Sequence, residues 1–243
     1  MALKDTDLRE FKSVYENDTD NCGGLISDIE IQTSTDNNLF PDTSAGGIHY
    51  RKCFKKNTST VDTWNNVVSW IVSQPKDCVV YVACGLNHAD DTKGRLSELT
   101  PFTTSAKVAL VSNGSDTRSV DIVGEDALGN RISETVILNG LNEVLSVNTY
   151  SKVYYVAVQT LNDIRTITIK EGSGGAVRGT IGINGKLCTC FRSDITSKGN
   201  GYKHGNIAPR GVFGLWYKLT VSGGAGYTPA NTFIIKSEGD IGG

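Results

Sequence analysis

Ser119-Val-Asp-Ile-Val-Gly-Glu-Asp-Ala-Leu-Gly-Asn-Arg-Ile-Ser-Glu-Thr-Val-Ile-Leu138 decides the fold class. Val120 and Ile122 alternate with other residues on the way in, and Ile132, Val136 and Leu138 follow on the way out. Strand side chains point to opposite faces in turn, so this period marks half-buried strands rather than a helix. Between them, Gly124-Glu-Asp-Ala-Leu-Gly-Asn130 concentrates residues that tolerate the positive φ of a chain reversal. The stretch predicts a β-hairpin.

The same texture extends outward in both directions. Strand-like runs occupy Lys107–Val111, Val153–Val158, Ile164–Ile169 and Val177–Ile183 around the hairpin. Upstream lie Leu25–Ile31, Ile48–Phe54, Val67–Val72 and Val79–Ala83, and downstream lie Val212–Val221 and Thr232–Lys236. With 27 Gly, one Met and many Thr, Ser, Val and Ile in 243 residues, the composition favours strands and tight turns. These readings predict an all-β chain with two small β-sandwich or barrel-like domains, the second immunoglobulin-like in general architecture.

The boundaries follow from changes in texture. Residues 1–24 are polar and read as an extended N-terminal arm. Residues 25–95 form a first β domain, for which 205–243 is the segment that would complete the sheet. The connection 85–105 is rich in Asp, Thr, Ser and Lys, and 96–195 follows as the immunoglobulin-like sandwich. Residues 196–243 make a C-terminal β segment, with Lys198–Gly205 read as loop and Ser222–Pro229 as a flexible turn.

Two places read as partner contacts. Asp7 with Glu10 matches a capping box for a short helix carrying Leu8, Phe11 and Tyr15 on one face, in an arm that orders against a neighbour. Leu39-Phe40 forms an apolar plug in a polar loop, able to staple that loop to its own core or to enter a partner.

A formal charge of -2 argues against a generic nucleic-acid binder, which carries a basic excess. No apolar run approaches the roughly 18 residues of a membrane helix, and the start MALKDTDLRE lacks a signal-peptide core. Without a secretory signal, Cys22, Cys53, Cys78, Cys84, Cys188 and Cys190 read as buried thiols rather than disulfides. No Cys-x2-Cys pair with a nearby His suggests zinc. Asp18, Asp20 and Gly23 faintly match a calcium loop, but Ile29 stands where its bidentate Glu belongs. No cofactor or metal is expected.

Catalytic motifs are also missing. Gly185-Lys186 lacks the earlier glycine of a phosphate loop, and neither Gly-x-Ser-x-Gly nor His-Glu-x-x-His occurs. His49, His88 and His204 read as surface or loop residues. Trp64, Trp70, Trp216, Tyr217, Tyr154 and Tyr155 suit a core or protein interface better than a ligand platform. Since Tyr154 and Tyr155 point to opposite faces, one at most is core. The inventory is that of a binding or structural protein rather than an enzyme.

Three stretches carry a resemblance. Asn37–Asp42 with Gly47–Asn57 resembles an N-terminal module of tailed-bacteriophage structural proteins. Ser115–Asn139 resembles an immunoglobulin-like hairpin of phage head and tail proteins, and Phe213–Lys218 with Lys236–Asp240 resembles their closing segment. The resemblance implies a non-enzymatic virion component made in the host cytoplasm, foremost a capsid decoration or cement protein. It implies self-association as a symmetric homo-oligomer and binding to the major capsid protein, with no direct nucleic-acid or membrane contact. The alternatives are a neck, collar, tail or baseplate protein bound to connector or tail partners, and a module that binds host-surface glycan. The partner-contact candidates under this reading are Leu8, Phe11, Tyr15, Leu39 and Phe40.

Overall fold

The computed structural model describes residues 7–31, 39–40, 46–74, 78–87, 91–161, 164–222 and 233–241. The chain is all-β and divides into two compact units. The first unit combines Met1–Lys93 with Phe191–Gly243, and the second is Gly94–Cys190.

In the first unit, β1 (Leu8–Tyr15), β2 (Gly23–Glu30), β3 (Gly47–Asn57), β5 (Cys78–Cys84) and β16 (Val212–Val221) form a five-stranded sheet. Its order is β2-β1-β3-β16-β5. The aromatic run 212–221 is its centre, with an unbroken antiparallel ladder to β3 from Val212↔Lys56 to Val221↔Gly47. Almost every β16 side chain is buried, so both faces of this strand are covered. A second sheet of β15 (Tyr202–Ile207), β4 (Trp64–Ser73) and β17 (Ile234–Ile241) runs in the order β15-β4-β17. The two sheets meet through aromatic rings: His204 stacks on Phe213 at 3.8 Å, and Phe233 lies 5.6 Å from Tyr217.

The second unit has a five-stranded sheet of β6 (Leu96–Glu98), β14 (Leu187–Thr189), β11 (Lys152–Val158), β8 (Ser119–Glu125) and β9 (Arg131–Ile137), in that spatial order. Its four-stranded sheet runs β10 (Val144–Tyr150), β7 (Ala106–Ser112), β12 (Ile167–Glu171) and β13 (Val177–Ile181). All ladders are antiparallel except β14 with β6. Val108, Leu110, Ile167 and Ile169 from one sheet share a core with Val120, Ile122, Val156 and Cys188 from the other. The β8–β9 hairpin pairs Val120 with Val136 and Ile122 with Glu134. Asp126 closes its turn by accepting from the Leu128 and Asn130 amides at 2.9 and 2.8 Å.

Three expectations are corrected. The segment read as a helical arm is strand β1, because it pairs with β3 from Leu8↔Asn57 to Lys12↔Cys53. A ladder on both sides satisfies its backbone, which the local Asp7–Glu10 signal could not foretell. The stretch read as loop over Lys198–Gly205 holds a 3-10 turn at Lys198–Asn200 and the start of β15, which pairs with β4. Finally, β6, β10 and β14 were not anticipated as strands; they are short, bulged or weakly alternating. His88, residues 223–229 of the turn read over Ser222–Pro229, and most of the loop around Leu39-Phe40 lie outside the described residues.

Candidate functional site

Alternation along β3 puts Ile48, Tyr50, Lys52 and Phe54 on one face of the first sheet, and register adds Thr220, Lys218, Trp216 and Gly214 from β16. This is the face away from Tyr217 and its contact with Phe233. Burial deepens along it, from Ile48 at 56% exposed to Lys52 and Trp216 at 0%. A lysine on a strand face is ordinarily solvated, so its burial here requires partners.

Asp91 supplies them. Lys52 Nζ donates to Asp91 Oδ1, and also to the Gly24 carbonyl at 3.1 Å. The other carboxylate oxygen, Oδ2, accepts from Trp216 Nε1 at 3.0 Å and from the Leu86 amide at 3.3 Å. The Phe54 ring lies 4.7 Å from Nζ. Asp91 is fully buried, and burial pushes its carboxyl up despite the opposing pull of Lys52 and the hydrogen bonds. Gly23, at φ +100, passes so close that a Cβ would fall 2.6 Å from the Trp216 ring. The packing leaves no side chain's width there.

Further along the same face, Lys218 lies over the rings of Tyr81 and Phe191 at 4.8 and 5.0 Å, and Phe191 meets Tyr50 edge-on at 5.8 Å. On the opposite face Glu10 bridges Lys55 at 2.7 Å and Tyr217 Oη at 2.8 Å. In the second unit, Glu125 is buried and accepts from the Tyr154 hydroxyl, and Lys152 lies 3.3 Å from its other oxygen. Glu171 accepts from the Thr103 and Thr104 amides at 2.9 and 2.6 Å and pairs with Arg178. Burial pushes the Glu171 carboxyl up, but these bonds outweigh it and hold it at about 2. In each cluster the ionisable groups are engaged by the chain itself.

The anticipated contact residues separate. Leu39 and Phe40 are buried, with Phe40 5.9 Å from the Phe233 ring and 5.8 Å from Arg51, so the plug staples to its own unit. Leu8 and Phe11 are half-buried in β1, where Phe11 pairs with Phe54 and lies under Lys56 at 5.4 Å. Tyr15 is 54% exposed, close to Val14, and Leu25 and Ile29 are exposed on the neighbouring edge strand β2.

A second exposed apolar stretch was missed. β9 and β10 are the edge strands of their respective sheets, and Glu134 on β9 accepts from the Val147 amide at 2.8 Å, joining the two edges. Between residues 137 and 147 the chain exposes Ile137 (65%), Leu141 (68%), Leu145 (43%) and Val147 (81%). The signal was present as apolar residues in 137–147, but sequence cannot tell which face of an edge strand is covered.

Among the described residues no group of three or more His, Cys, Asp or Glu side chains is arranged to hold a metal ion, and no helix is long and apolar enough to cross a membrane. His204 is held 3.0 Å from Ser69 Oγ, and His49 3.2 Å from Asp18. No family model, no curated protein and no solved structure matches the chain.

Proposed function

We propose that this chain is a non-enzymatic structural component of a tailed-bacteriophage virion, a capsid decoration or cement protein that binds neighbouring capsid subunits. The observation that carries a structural-contact role is the apolar edge of the second unit, where Ile137, Leu141, Leu145 and Val147 stand exposed on and between two edge strands. Large apolar side chains left exposed near the edges of sheets mark surfaces for protein contact. Tyr15 and the β2 edge offer a comparable surface on the first unit. The phage assignment itself rests on the three resembling stretches, of which the β8–β9 hairpin is the longest.

Symmetric self-association suits such edges, since a repeated surface patch closes naturally into a ring or trimer. The test is copy number in purified particles, by quantitative mass spectrometry against the major capsid protein. A fixed stoichiometric ratio to that protein supports the cement reading. A ring-sized number overturns it in favour of a neck or tail component, and absence from the particle overturns the virion assignment.

A further inference from the structure

We propose that Lys52 and Asp91 condense spontaneously into an intramolecular isopeptide bond that ties β3 to the segment preceding the second unit. Three features of the geometry favour such a reaction. The amine and the carboxyl are in direct contact, both side chains at 0% exposure. Asp91 Oδ2 rests between two donors, Trp216 Nε1 at 3.0 Å and the Leu86 amide at 3.3 Å, which would stabilise the oxyanion of a tetrahedral intermediate. The Gly24 carbonyl, 3.1 Å from Nζ, takes one amine hydrogen and orients the nitrogen.

The step balances without any other reactant. A proton passes from the ammonium to the carboxylate, leaving a neutral amine beside a carboxylic acid. Nζ attacks Cγ, and the C–N bond forms as negative charge collects on Oδ2. A second ammonium proton moves to Oδ1, the Cγ–Oδ1 bond breaks, and Oδ1 departs as water. Nothing is oxidised or reduced.

Two physical effects drive it. Holding the groups in contact replaces a bimolecular encounter by a unimolecular one, an advantage worth several orders of magnitude in effective concentration. The buried ion pair carries a desolvation penalty that a neutral amide does not, and the apolar wall of Phe54 and Trp216 favours release of water to bulk. Burial already pushes the Asp91 carboxyl toward its protonated form. This inference stands on the first unit alone and is independent of the virion reading.

The experiment is the intact mass of the full chain, purified folded and then denatured, followed by tryptic peptide mapping. The expected result is a loss of one water from the sequence mass. It should come with a branched peptide joining residues 52–55 to residues 77–93, since trypsin cannot cleave after an acylated lysine. Asp91→Asn should reach the same final mass by releasing ammonia instead, and Lys52→Arg should show no loss. An unshifted mass, or a water loss confined to a linear peptide as in a succinimide, would overturn the proposal. Because wild-type protein gives the decisive reading, failure of either variant to fold leaves the test intact.

Discussion

Tyr217 on β16 donates its hydroxyl to Glu10 on β1 at 2.8 Å, reaching past the intervening strand β3, whose Lys55 meets the other carboxylate oxygen at 2.7 Å. One carboxylate thus couples three strands, and it belongs to a segment that reads locally as a free arm. Burial, first, and then the Glu10 charge hold the Tyr217 hydroxyl well above its usual range, so it remains a donor.

Tyr217→Phe removes one bond to a charged acceptor but leaves Glu10 paired with Lys55. It should cost about 2 kcal/mol in guanidinium unfolding of the first unit. Glu10→Ala strands the Lys55 ammonium and should cost more, about 3 kcal/mol or above. Deletion of residues 1–15 should unfold that unit altogether. A deletion variant with wild-type stability would mean that β1 is dispensable, as an arm would be.

Acid should weaken the second unit through Glu171. Its carboxyl is held at about 2 when folded, below the ordinary glutamate range it regains on unfolding. As pH falls through that interval the unfolded chain takes up a proton that the folded chain refuses, so stability drops. The contribution is complete above the unfolded value and gone below about 2. Unfolding midpoints across pH should therefore slope downward toward acid in wild type, with a visibly shallower slope in Glu171→Gln.

Backbone proximity makes a contrast of glycines. A Cβ on Gly124 of β8 would fall on the Lys152 carbonyl, and 2.9 Å from the Tyr150 ring. Gly182 has nothing within 4 Å. Gly124→Ala should cost about 3 kcal/mol or prevent folding, and Gly182→Ala should be neutral or slightly stabilising. Thermal melts of the two variants decide it.

Burial should also silence particular thiols. It pushes Cys188 up to about 12 against the Thr180 backbone hydrogen bond, and Cys53 well above its ordinary value with nearby charges secondary. The thiolate is the reactive form, so both should resist alkylation in the folded protein and react promptly in denaturant. Peptide mapping after a timed iodoacetamide pulse reads this directly.

The apolar edge can be altered without touching the core. Ile137→Lys with Val147→Lys changes two side chains that are 65% and 81% exposed, so the folding free energy should move by less than about 0.5 kcal/mol per site. Under the cement role proposed above, binding to purified capsids should fall strongly. Unchanged binding would remove this edge from the contact surface.

Much of this was written locally. The alternation of Val120, Ile122, Ile132 and Val136 and the Gly-Asn turn specify the hairpin, because strand period and turn chemistry are properties of neighbours in sequence. The same rule set Lys52 on a face with Tyr50 and Phe54 and put Cys78 and Cys84 on one side of β5, whereas a bulge at Tyr154 interrupts it in β11. What alternation cannot say is what lies above a face. That Lys52 is covered by Asp91 and Trp216 depends on residues 39 and 164 positions away, brought together only by strand order and a returning loop. Residues 7–15 carried helix signals, yet the open ladder of β3 offered that backbone more hydrogen bonds than a short isolated helix could retain. Interactions among near neighbours were enough to specify an all-β chain, its main strands and the hairpin turn at 126–130. Contacts between distant segments fixed the inward fate of Leu39 and Phe40 and the dry meeting of an amine with a carboxyl, because burial and partner choice depend on residues far apart along the chain.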